Sequence, residues 1–70
     1  MKKKVLIEGM SCGHCVNHVR EALGEIGATE IEVNLEGKYA TLEIGESVTD
    51  EKIKEIIDEY GYEVVGIEEA

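Results

Sequence analysis

The chain has 70 residues, a net charge of −9 and 43% hydrophobic residues, chiefly Ile, Val, Leu and Ala. A chain this long makes one small domain, residues 1–70, and buries about 60% of its unfolded surface. Its acidity argues against nucleic acid and anionic lipid as partners, and no apolar run approaches the length of a membrane span.

The start, MKKKVLIEG, sets three apolar residues behind a basic cluster. A secretory signal needs at least about seven, so the expected location is cytoplasmic, without direct insertion into a membrane. Lys3 to Glu8 alternates as a strand with Val5 and Ile7 on one face, and Gly9 breaks it. From Gly13 to Ile26, the residues Val16, Val19, Leu23 and Ile26 recur at helical spacing. Ser11 is positioned to cap that helix and Gly27 to end it in a left-handed conformation. Ile31, Val33 and Leu35 then alternate with Glu30, Glu32 and Asn34 as a half-buried strand. Glu36-Gly37-Lys38 reads as a hairpin turn, and Ala40, Leu42 and Ile44 continue on a third strand. After the loop Gly45-Glu46-Ser47, Thr49 is a candidate N-cap, followed by Asp50 and Glu51 where the helix dipole favours negative charge. Val48 and Ile53 stand at hydrophobic-staple positions. Ile53, Ile56, Ile57 and Tyr60 form the stripe of a second helix, which Gly61 ends. Tyr62 to Ile67 reads as a last strand whose register the alternation does not give.

The order βαββαβ predicts an α+β, ferredoxin-like fold: a four-stranded antiparallel sheet with two helices on one face. In that plan GMSCGHC, residues 9–15, follows the first strand and opens the first helix. It contains both cysteines of the chain. Cys12 falls in the loop and Cys15 in the first helical turn, where unpaired N–H groups and the positive helix end favour a thiolate. A bridge across so short a spacing would constrain little of the unfolded chain, so the pair points to chemistry.

Three chemistries compete. A dithiol oxidoreductase of thioredoxin type normally sets a cis-proline opposite its cysteines, and this chain has no proline. Structural zinc wants four ligands, and packing Cys12, His14, Cys15 and His18 around one ion strains a tetrahedral shell. A two-thiolate site for a soft monovalent ion remains. Cu(I) favours sulfur and tolerates low coordination, and a two-coordinate ion can accept a third thiolate from a partner and cross by ligand exchange.

GMSCGHC matches the GMxCxxC signature of heavy-metal-associated domains. The resemblance covers essentially the whole chain, including the Gly61-Tyr62 pair after the second helix. The chain resembles small bacterial copper chaperones and, equally, the N-terminal metal-binding domains of copper-transporting P-type ATPases. The resemblance implies Cu(I) held by Cys12 and Cys15, with Ag(I) or Hg(II) as substitutes. Relatives tuned for zinc often carry an acidic residue where Ser11 stands here. The implied partner is a copper-transporting P-type ATPase or a copper-responsive regulator. The expected state is a monomer without metal, with a metal-bridged dimer open to two exposed sites. On this reading the chain is no enzyme.

The neighbouring residues carry two readings each. Met10 is a thioether ligand or, as the resemblance implies, a core residue pinning the loop. His14 is an exposed loop side chain or an auxiliary ligand. His18, one turn beyond Cys15, is a partly packed surface histidine or a ligand. Tyr62 either packs the end of the core or, as in similar chaperones, shields or tunes the metal loop. Tyr60 belongs to the helix-two stripe, whereas Tyr39 carries no functional signal. Lys2, Lys3 and Lys4 read as a solvated strand start or as a cluster that orients a partner. The acidic surface either keeps the domain in solution or steers a partner with a basic patch. Gly9 and Gly13 serve turn geometry or loop rearrangement.

Overall fold

The computed structural model describes residues 1–11 and 13–70. Its elements run β1 (Lys2–Glu8), α1 (Gly13–Glu25), β2 (Thr29–Asn34), β3 (Tyr39–Glu43), α2 (Asp50–Glu59) and β4 (Glu63–Glu69). Among these residues the strands form one four-stranded antiparallel sheet in the order β2-β3-β1-β4. This is the βαββαβ plan that the alternation and the two helical stripes predict.

The core lies between the helices and one sheet face. Val5 and Ile7 from β1 and Ala40 and Leu42 from β3 meet Val19, Ala22 and Leu23 from α1 and Ile53, Ile56 and Ile57 from α2. The stripe of α1 is broader than the spacing of large residues suggests: Ala22 is fully buried, and Cys15 packs against the same cluster. Val16 is half-buried.

Both helix-terminating glycines take positive φ, 84° at Gly27 and 93° at Gly61, where a Cβ would be strained. At α2 the Thr49 side chain accepts a hydrogen bond from the Lys52 N–H at 3.1 Å. Val48 and Ile53 both join the core beneath that cap, as a staple requires.

Three details depart from the sequence pattern. The β2–β3 turn takes its left-handed residue at Lys38, φ 58°, not at Gly37. Gly37 is there for space, because a Cβ would overlap the Tyr39 ring. In β4 the register shifts: Leu6 pairs with Gly66 but Ile7 with Val64. Val65 is therefore an extra, bulged residue, and it is 56% exposed. That bulge lets Val64 and Ile67, three apart, both pack on the core, and it defeats a simple alternation. Finally, the lysines at the start are not all solvated. The Lys3 side chain is only 12% exposed and its ammonium lies 3.6 Å from Asp50 at the start of α2. Lys4 lies over the Tyr39 ring, 4.4 Å from its centroid. Two of the three basic residues are thus engaged within the fold.

Candidate metal centre

The segment between β1 and α1 is built from its entry inward. Gly9 adopts φ 99°, which only glycine reaches without strain. That turn drives Met10 into the core, where it is 6% exposed. Its sulfur-bearing side chain pins the segment from below, the packing role expected of it. Ser11 is exposed. Cys12 lies outside the described residues, and so does the capping of α1, which begins at its neighbour Gly13.

Cys15 occupies the first turn of α1, is half-buried and packs against the core. The first turn holds no acidic side chain. The N–H groups of the first turn therefore meet no carboxylate of their own turn, and the positive end of the helix favours a thiolate there. His14 is exposed as expected, but it stands in the first turn of α1 and not in the loop. Among the described residues no three His, Cys, Asp or Glu side chains gather where an ion could sit.

His18 and Tyr62, singled out separately in the sequence, meet in the fold. His18 Nδ1 and the Tyr62 hydroxyl share a hydrogen bond of 3.1 Å, its direction set by the imidazole tautomer. The Tyr62 ring also lies against the entry of the loop: a Cβ on Gly9 would be 3.5 Å from its Cδ1. Tyr62 packs against the core as well, so its two sequence readings are compatible. The signal was present at both ends, His18 one turn past Cys15 and Tyr62 just after Gly61, but nothing local linked them.

Tyr60 takes a different partner on α1. Its hydroxyl donates to Glu25 Oε2. That hydrogen bond, then burial, then the charges of Glu25, Glu21 and Glu59 push its pKa up from 10.0 to about 12. The negative neighbours favour the neutral phenol. Among the described residues no helix is long and apolar enough to cross a membrane.

Comparison with known proteins agrees with this arrangement. A protein named copper chaperone CopZ from Staphylococcus epidermidis is 45% identical over 65 residues, spanning 90% of this chain and 96% of the relative. The solved structure of a CopZ metallochaperone superposes with a TM-score of 0.86 at 37% identity, covering 93% of this chain and 100% of the other. A copper-binding domain from HMA7, a P-type ATPase, superposes with a TM-score of 0.84 at 32% identity, covering 97% and 99%. The family model described as heavy-metal-associated domain matches residues 4–63. With most of β1 and all of α1 and the cysteine segment inside that match, the chain belongs to the heavy-metal-associated domain family.

Proposed function

We propose that this protein, as a single domain over residues 1–70, carries one Cu(I) ion on the sulfurs of Cys12 and Cys15. It hands the ion to a partner by thiolate exchange. The observation that carries the reading is Cys15 in the first turn of α1, in a turn without carboxylates, within a chain that matches the heavy-metal-associated family. Soft thiolates select a soft monovalent ion. Two donors grip it while leaving its coordination open to an incoming sulfur. The 45% identity to a copper chaperone supports copper as the cargo. The cargo enters and leaves unchanged, so the protein acts as a carrier in the cytoplasm and not as an enzyme.

The partner is a copper-transporting P-type ATPase or a copper-responsive regulator. Its docking face is basic, matching a chain of net charge −9, and docking weakens as salt rises. Without metal the protein is a monomer; two loaded copies can share ions across their exposed segments. The likeness to a P-type ATPase domain supports a second reading, in which the same site serves as a docking module of a transporter.

Competition against a Cu(I) chelator under reducing conditions tests the assignment. The expected result is one Cu(I) per chain, bound more tightly than Zn(II), with affinity falling at low pH as protons compete for sulfur. Tighter Zn(II) binding would overturn the choice of metal.

A further inference from the structure

We infer that an extra residue in each outer strand, Glu30 in β2 and Val65 in β4, bars a second copy of this chain from adding its strand to the sheet. This rests on the metal-free monomer proposed above and gives that state a physical cause; it does not depend on which metal is carried.

In the order β2-β3-β1-β4 the outer strands are β2 and β4, and each pairs with one neighbour among the described residues. The far side of such a strand presents backbone N–H and C=O groups on which another strand can build. The central pair, β1 with β3, runs in step from Lys2 opposite Glu43 to Leu6 opposite Tyr39. Both outer pairs break step. Thr29 meets Glu43 and Glu32 meets Thr41, so Glu30 and Ile31 together stand opposite Leu42. Leu6 meets Gly66 and Ile7 meets Val64, so Val65 is passed over. In both cases the extra residue lies on the outer strand. A bulge there bends the backbone and interrupts the run of outward hydrogen-bonding groups.

Neither extra residue serves the pairing or the core. Without Val65, Val64 and Ile67 would stand two apart, and alternation would keep both on the core face they already pack. Without Glu30, Ile31 would meet Leu42 in plain register and still share a face with Val33. Yet each residue carries a cost. Glu30 holds φ 51°, a left-handed conformation that a side chain disfavours. Val65 leaves a large apolar side chain 56% exposed. Strain at one edge and apolar exposure at the other coincide with the two places where an edge is broken. The exposed glutamates nearby, Glu32 on β2 and Glu63, Glu68 and Glu69 on β4, add to the effect, because a second copy would set like charges against them.

Sedimentation equilibrium on the reduced, metal-free protein tests this with the wild type, a deletion of Val65, a deletion of Glu30 and the double deletion, each checked for folding by circular dichroism. The wild type should be monomeric and should stay so in about 1 M salt, where charges are screened beyond about 3 Å but the bulges remain. Each single deletion should tighten self-association by about tenfold or more, the gain from one or two recovered hydrogen bonds. The double deletion should build assemblies larger than dimers, because each copy then offers two open edges. Val65→Ser and Glu30→Gly keep the extra residue and should remain monomeric. Folded deletions that stay monomeric would overturn the inference, as would association of either substituted variant. A deletion that abolishes the fold would also overturn it, because the residue would then serve the pairing. So would a wild type that associates in high salt, because charge alone would then be holding copies apart. No arm reads copper uptake, so failure to bind Cu(I) would strike the carrier reading alone.

Discussion

At the start of α2, Thr49 caps the Lys52 N–H, Asp50 and Glu51 stand in the first turn, and Lys3 pairs with Asp50. At the start of α1, the first turn is Gly13, His14, Cys15 and Val16, with no acidic residue. Both helices follow a strand of the same sheet and both cover the same core. At α2 the positive helix end is satisfied by the protein's own carboxylates and a hydroxyl. At α1 the first turn holds no carboxylate and carries Cys15. The difference teaches that two helices covering one core can open in opposite ways, α2 with carboxylates in its first turn and α1 with a cysteine and no carboxylate there.

The strongest way to break the comparison is to remove the sulfur at α1. Cys15→Ser or Cys12→Ser should weaken Cu(I) binding by more than the about 10–100-fold typical of losing a ligand's supporting contacts. Chelator competition reads this, and a loss smaller than tenfold would count against a two-sulfur grip. His14→Ala in the same assay should have a milder effect. Next comes removal of the cap at α2. Thr49→Ala should cost about 1 kcal/mol of stability in urea unfolding, and Cu(I) affinity should stay as it was. A fall in affinity would show that the two helix ends are not independent.

The comparison sharpens if α1 is made to resemble α2. Gly13→Asp introduces a carboxylate into the first turn of α1, where a Cβ meets open space. The apo domain should gain about 0.3–1 kcal/mol from the dipole, while Cu(I) binding weakens because the acid competes with the thiolates for that field. Unchanged affinity would mean the helix end matters little to the sulfur. The smallest effect is at Tyr60, whose pKa of about 12 reflects its hydrogen bond to Glu25 and the surrounding acids. Because the folded state holds this proton more tightly than the unfolded chain, the associated stability is full below pH 10 and lost as pH rises towards 12. In ultraviolet titration Glu25→Gln should bring that phenol back towards ordinary ionisation while metal binding is untouched.

The regular parts of this molecule were legible because their periods are local. Val5 and Ile7 on β1, and Ile53, Ile56 and Ile57 on α2, show their faces within a single turn or pleat. The cap at Thr49 and the glycine stops follow from residues next to one another. What escaped the sequence depends on distant partners or on an inserted residue. The bulge at Val65 resets the β4 alternation, so its register appears only when β1 is beside it. Lys3 reads as one of three solvated lysines, yet its core-face position is tolerable because Asp50 meets it. Ala22 gives too weak a hydrophobic signal to reveal its full burial. At the site, the family signature marked the cysteines, while the His18–Tyr62 contact joins residues 44 apart and has no local trace.

X-ray absorption at the copper edge of the Cu(I)-loaded protein addresses the central claim most directly. The account predicts two sulfur neighbours and no nitrogen or oxygen in the first coordination shell, with that signal lost in either cysteine-to-serine variant. Copper bound through imidazole nitrogen, or through one sulfur alone, would contradict it.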